Sequence, residues 1–164
     1  MNESALHQLA QQLGEQLVVK NLTLATAESC TGGWVSKIIT DIDGSSRWFD
    51  CALVTYSNTS KRDLLGVSQA SLDQFSAVSQ PVAKEMVLGL LDRCSANLGV
   101  SITGIAGPGG GSADKPVGTV WIAWAKPGQV MESTKYVFSG DRGQVRLQAV
   151  AEALQGVQRL LNNG

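Results

Sequence analysis

The chain has 164 residues, 43% of them hydrophobic and 16% charged, with a formal net charge of −1. This is the composition of an ordinary globular protein, long enough to bury one sizeable core and read as one domain over residues 1–164. It lacks the Lys/Arg excess that a nucleic-acid partner requires, and it has no continuous apolar run of the roughly 18 residues that a membrane span requires.

Leu6, Leu9, Leu13 and Leu17 recur three or four residues apart, which predicts an amphipathic helix over Glu3–Lys20. Its start, MNESALHQLAQQ, has neither the basic opening nor the apolar centre of a signal peptide. Leu22–Ala27 reads as a short strand, ESCTGG (Glu28–Gly33) as a turn, and Trp34–Thr40 as the body of a second helix. Asp43–Ser46 is a turn and Cys51–Tyr56 a second strand. Ser57–Lys61 opens the next helical piece, capped by Asn58 or Ser60. Ser68–Phe75 reads as a short helix. Ser79 caps a longer one, with Pro81 in its first turn and Met86, Leu90 and Leu91 on its apolar face.

Leu98–Thr103 is the third strand. The stretch Ile102–Gly118 then holds six glycines and two prolines, a loop whose amides can approach an anion closely or simply turn the chain. Val117–Ala125 and Val130–Phe138 flank a Pro127-Gly128 turn and read as an antiparallel hairpin. Asp141 caps the last helix, with Val150, Leu154, Val157 and Leu161 along one face. Strands separated by helices pair in parallel through right-handed crossovers. The order α-β-α-β-α-α-β-β-β-α therefore predicts a three-layer α/β/α fold, its sheet mixed, mainly parallel and closed by the C-terminal antiparallel hairpin. In such sheets ligands bind beyond the carboxyl ends of the parallel strands. Three segments meet there: ESCTGG, YSNTSK and TGIAGPGGG.

Three separated cysteines, Cys30, Cys51 and Cys94, read as reduced thiols of a cytoplasmic protein. The single histidine, His7, lies far from the glycine turns and reads as a solvent-facing helix residue. A Ser-His-Asp or Cys-His site and most catalytic zinc sites are thereby excluded, and no metal or other cofactor is expected. A hydrolase built from this chain must use a serine or cysteine with a lysine base, and a lysine serves only where burial keeps it neutral. Ser29 or Cys30 on the first turn and Lys61 beyond the second strand are the candidates. Ser46 is a further one, although parallel strands put it at the far end from Lys61. Lys61 also reads as an exposed lysine at a helix start.

Tyr56 is a partner for the lysine, a proton shuttle or a strand-end aromatic. The amides of Thr31, Gly32 and Gly33 at a helix start, or Thr103 with the amides of Gly104, Gly107, Gly109 and Gly110, are candidates to hold a phosphate, ribose or oxyanion. Glu28 balances a positive ring, orients Lys61 or makes structural hydrogen bonds. Arg142 is an anion contact or an ordinary first-turn charge. Trp121 and Trp124 read as core and edge packing rather than a stacking platform.

Together AESCTGGWV, the GSS turn, VTYSN with Lys61, and TGIAGPGGG…KPVGTVWIAW resemble the CinA C-terminal-domain family, the nicotinamide-mononucleotide deamidases. The likeness runs from about Thr26 to Arg142 and is to the free-standing form, without the additional N-terminal domain of longer members. It implies hydrolysis of the carboxamide of nicotinamide mononucleotide to nicotinate mononucleotide and ammonia, a salvage step in pyridine-nucleotide metabolism, by a metal-free Ser/Lys dyad. Ser29 is the preferred nucleophile, with Ser46 held in reserve. The partner is then a small nucleotide substrate, with a homodimer as a possible assembly. A non-catalytic nucleotide-binding or regulatory module is the alternative.

Overall fold

In the computed structural model, which describes residues 1–163, helix α1 spans Glu3–Lys20. Asn2 starts it by accepting the Ala5 amide, and Asn21 ends it in the left-handed region at φ 55°. That closure brings the Leu22 amide back to the Leu17 carbonyl (2.9 Å), so β1 begins later than its apolar run suggests and spans Leu24–Glu28. Then follow α2 (Trp34–Thr40), a 3₁₀ turn at Ser45–Arg47, β2 (Phe49–Val54), α3 (Asn58–Leu65), α4 (Gln69–Phe75) and α5 (Gln80–Asp92). The chain continues through β3 (Leu98–Gly104), β4 (Thr119–Lys126), β5 (Gln129–Val137) and α6 (Arg142–Asn163).

Three helices separate β2 from β3, at the three helical pieces read from Ser57, Ser68 and Ser79, where the element order counts two; three serines each cap one. Ser57, Ser68 and Ser79 accept the amides of Ser60, Ser71 and Val82. The α3 cap is thus Ser57 and not Asn58 or Ser60, and Gly66 stops that helix at φ 71°. Asp141 and Gln144 begin α6 with a reciprocal pair: the Gln144 amide donates to Asp141 Oδ1 (2.9 Å) and the Asp141 amide to Gln144 Oε1 (2.7 Å).

The sheet order is β2-β1-β3-β4-β5. β2, β1 and β3 run parallel, and β4 and β5 complete the sheet antiparallel, the mixed architecture expected. Between β1 and β2 the register is irregular: Leu24 faces Phe49 but Ala25 faces Cys51, so Asp50 is an extra residue. Beyond it the pairing is continuous to Glu28 opposite Val54.

Side chains alternate between two cores. Leu24, Val100, Ile102, Val120, Ile122 and Trp124 pack under α1, α2 and α6. Ala25, Ala27, Ala123 and Ala125 face α5 and its neighbours across a flatter surface. On that side Ser101 and Thr103 hold the α5 layer by donating to the Ala83 carbonyl (2.6 Å) and the Ala77 carbonyl (2.9 Å). Gly89 brings α5 against the Leu65 carbonyl of α3, where a Cβ would collide. Trp124 is core, as expected; its indole donates to the Ala153 carbonyl (2.9 Å) and lies against Gly156 of α6. His7 is partly covered rather than free in solvent, because its ring meets Asp41 (2.7 Å), the hydrogen bond that raises its pKa. No described helix is long and apolar enough to cross a membrane.

Candidate active site

Glu28 lies opposite Val54 on one side and Ile102 on the other, so the chain leaves β1, β2 and β3 at one edge. Ser29 is the first residue beyond β1, fixed by its amide donating to the Ile102 carbonyl (3.0 Å). β2 ends at Val54. The next amide, Thr55, still pairs with the Glu28 carbonyl (2.8 Å) before the backbone turns into α3. One turn into that helix, Lys61 points back under the strand ends and is only 1% exposed. Its Nζ lies 2.9 Å from Ser29 Oγ, 2.9 Å from the Thr55 carbonyl and 3.1 Å from the Tyr56 carbonyl.

No carboxylate is among these partners, and burial lowers the Lys61 pKa from 10.5 to about 8. Two of the three neighbours are carbonyls, which only accept. A neutral amine has two N–H groups and one lone pair. With both N–H groups on the carbonyls, the lone pair is left for the Ser29 hydroxyl. A protonated amine satisfies all three contacts as a donor, so the site is hydrogen-bonded in either state.

The cleft above this pair holds about 220 Å³ and is walled by Ser29, Cys30, Tyr56, Asn58, Thr103 and Arg142 among others. Cys30, the alternative nucleophile, is buried, and burial pushes its thiol up to about 11, away from the reactive thiolate. Ser46 sits in the 3₁₀ turn before β2, at the opposite end of that strand from Lys61, and is not brought to the cleft.

Glu28 is fully buried and faces away from the lysine. One carboxylate oxygen accepts the Thr31 hydroxyl (2.7 Å) and the Val35 amide (2.9 Å), and the other accepts the Ser36 amide (3.0 Å). The N-terminus of α2, expected to receive a ligand's negative group at Thr31–Gly33, therefore receives the protein's own carboxylate. The Gly32 amide is also occupied, by the Ser29 carbonyl (2.9 Å). The amides of Cys30, Thr31 and Gly33 have no acceptor among the described residues; of the three, Cys30 alone walls the cleft, Thr31 being fully buried.

Tyr56 meets the lysine through its backbone; its ring is 63% exposed, and its hydroxyl accepts from Arg142 Nη2 (3.2 Å). Arg142 Nη1 donates to the Gly107 carbonyl (2.8 Å), which ties the glycine-rich loop to the start of α6. Thr103 lines the cleft with its hydrogen already donated to Ala77. Gly104 lies between Val120 and Cys30, leaving no room for a side chain. Gly109 and Gly110 are exposed and lie outside the cleft wall. Lys115 holds the far end of this loop on the C-terminus of α4, donating to the Phe75 carbonyl (2.6 Å) and Ser76 Oγ (2.7 Å).

The sequence reading missed Arg146, which donates to the carbonyls of Cys30 (3.0 Å) and Thr31 (2.9 Å) and lies over the Trp34 ring. Its spacing of four from Arg142 on one helix was the available signal. Ala77 and Val78 of the α4–α5 connection also wall the cleft, and no local pattern announces them.

Fold and site together define an α/β protein with a buried serine–lysine pair at the carboxyl edge of its parallel strands. A family model described as the CinA C-terminal domain matches residues 6–161, and the chain belongs to that family. It is 53% identical over 160 residues to a protein of Enterobacter agglomerans named nicotinamide-nucleotide amidohydrolase PncC, covering 97% of each chain. It is 52% identical over 164 residues to the Escherichia coli K12 protein of the same name, covering 99% of each. Among solved structures, a competence/damage inducible protein from Agrobacterium tumefaciens superposes with a TM-score of 0.92 at 41% identity, over 99% of this chain and 97% of that one.

Proposed function

We propose that this chain is a nicotinamide-nucleotide amidohydrolase that converts nicotinamide mononucleotide to nicotinate mononucleotide and ammonia, with Ser29 as nucleophile and Lys61 as base. The relatives' printed name supports the substrate class. The observation that carries the mechanism is the 2.9 Å contact from Lys61 Nζ to Ser29 Oγ, made while two carbonyls occupy the amine's other positions.

Neutral Lys61 takes the Ser29 proton as Oγ attacks the carboxamide carbon, and the carbonyl oxygen becomes an oxyanion facing the unpaired amide of Cys30. The Lys61 ammonium then protonates the departing nitrogen. The C–N bond breaks, ammonia leaves, and an ester links Ser29 to the nicotinate carbonyl. Water attacks that ester with Lys61 again as base; the C–O bond breaks, and Ser29 regains its proton. A cleft of about 220 Å³ suits the ring and carboxamide, with the ribose phosphate at the rim beside Arg142 and Tyr56. The reaction is assigned to the cytoplasm, where the nucleotide pool and three free thiols agree.

The test is ammonia release from nicotinamide mononucleotide by the purified protein, run with and without a chelator. Release that survives chelation and disappears in Lys61→Ala supports the reading. Tight binding of the nucleotide without turnover would replace it with a non-catalytic binding module.

A further inference from the structure

We infer that Gly104 supplies the second oxyanion donor of the amidase reaction, through a backbone amide left unpaired where β1 turns out of the sheet. This rests on the Ser29 mechanism above and adds a partner to the Cys30 amide. The N–H groups of successive strand residues point to opposite sides. The Ile105 amide donates to the Thr119 carbonyl (2.9 Å), toward β4, so the Gly104 amide points the other way, toward β1. There the parallel ladder runs out. The Ser29 amide still donates to the Ile102 carbonyl (3.0 Å). In a continued ladder the Gly104 amide, two residues further along β3, would donate to the Ser29 carbonyl. That carbonyl has turned away and accepts the Gly32 amide instead (2.9 Å).

The Gly104 amide therefore has no acceptor among the described residues, although Gly104 is partly exposed and walls the cleft beside the nucleophile. An unpaired N–H in such a place calls for an explanation, and a substrate oxygen supplies one. The same Ser29–Gly32 bond aims the first donor. A trans peptide is planar, with its N–H opposite its C=O. Holding the Ser29 oxygen inside the turn sends the Cys30 N–H outward, so one hydrogen bond frees one donor and orients the other. The two residues adjoin: a Cβ on Gly104 would lie 3.1 Å from Cys30 Sγ. It would also come within 2.6 Å of Val120 Cγ2 and 3.0 Å of the Thr119 carbonyl, so only glycine lets the backbone of β3 and the Cys30 turn approach this closely. Two N–H groups from neighbouring segments then flank one serine, the arrangement that a carbonyl oxygen gaining charge requires.

The test replaces the amide between Thr103 and Gly104 by an ester, which removes the N–H and keeps the shape. Joining residues 1–93 to a synthetic 94–164 at the native Cys94 gives the full chain without a change of sequence, and an all-amide chain made the same way is the reference. A missing oxyanion donor lowers kcat by about 100- to 1000-fold. The expected result is a loss of that order in the Gly104 ester, with KM changed less than about threefold. The same ester at Gly128, in the exposed turn between β4 and β5, keeps the reference kcat. A second arm uses the unaltered protein and decides the question if the ester chain does not fold. Pyridine-3-boronic acid accepts Ser29 Oγ at boron and forms a tetrahedral anion like the reaction's intermediate. In that adduct the amide protons of both Cys30 and Gly104 move downfield. The inference is overturned if the folded Gly104 ester keeps kcat or if its loss falls on KM alone. It is also overturned if the adduct moves the Cys30 proton and leaves that of Gly104 in place, or if the Gly104 shift persists in Ser29→Ala. A wild type that takes the boronate but releases no ammonia removes the amidase reading alone, with the proton shift still deciding Gly104; one that does neither overturns both.

Discussion

Replacing Lys61 by methionine isolates the buried amine, because methionine fills the same channel without a titratable head. The replacement leaves the Thr55 and Tyr56 carbonyls without their donor at every pH, a loss that does not vary with pH. What varies is the wild type. Its Lys61 ionises near 8 when folded and near 10.5 when unfolded, so between these values the unfolded chain binds the extra proton. Stability contributed by this group therefore rises with pH through the window. At about 1.36 kcal/mol per pKa unit, the wild type should gain roughly 2.5 kcal/mol on Lys61→Met between pH 7 and pH 10.

Cys30 works in the opposite direction. Burial raises its pKa to about 11, so its contribution is complete below 9 and is lost as pH climbs toward 11. Most of that slope comes from burial and is common to both proteins; the weak charge interaction between Cys30 and Lys61 is the part that does not cancel, and it acts above pH 9. Urea unfolding at pH 7, 8, 9 and 10 measures the difference. A stability difference flat to within about 0.5 kcal/mol across that range would mean that Lys61 titrates like an ordinary lysine, and the case for a neutral base would fail.

Activity should follow the same ionisation: only about a tenth of Lys61 is neutral at pH 7, so kcat/KM should rise about tenfold by pH 9 and then level. A profile flat from pH 6 to 9 contradicts this. Ser29→Ala should lose more than about a thousandfold in kcat, whereas Ser46→Ala, at the other end of β2, should keep it; single-turnover assays of both decide the nucleophile. Glu28→Gln weakens the cap on α2 and should cost roughly 1–3 kcal/mol in urea unfolding, with no change in m. Gly156→Ala drives a methyl into the Trp124 indole and should cost about 1–3 kcal/mol, so an unchanged urea midpoint would show that α6 moves aside freely.

Much of this architecture is legible in the chain. The leucines of α1 and the Val150–Leu161 face of α6 have helical period, and both faces are buried as the pattern requires. Lys61 was legible as chemistry only through topology: its local sequence, NTSKRDLL, is that of an exposed helix start. Its burial comes from two parallel strands ending side by side. Of the three roles the sequence leaves open for Glu28 the fold takes the structural one, and nothing local tells that its carboxylate turns into α2 seven and eight residues ahead. Of the three capping serines only Ser79 is legible as a cap; Ser57 is masked by Asn58 and Ser60 beside it, and Gly66 with Ser68 forms the stop and start that keep α3 and α4 apart. The Ala77–Val78 wall is invisible locally, since small apolar residues in a loop carry no period.

The extra residue at Asp50 has a bearing on chemistry at the other end of the strand. Ser29 and Lys61 hang from neighbouring strands with no hairpin between them, so their meeting depends on how many residues each strand spends before it exits. With β2 anchored at Phe49, a regular pairing of Asp50 with Ala25 would set Leu53, not Val54, across from Glu28, and every later residue would leave the sheet one step out of phase with the serine. Alignment of the two reacting groups is thus a matter of residue count. One residue inserted after Cys51, with no atom near the cleft, should silence the enzyme while leaving its fold nearly intact, whereas deletion of Asp50 only straightens the strand and keeps Val54 across from Glu28.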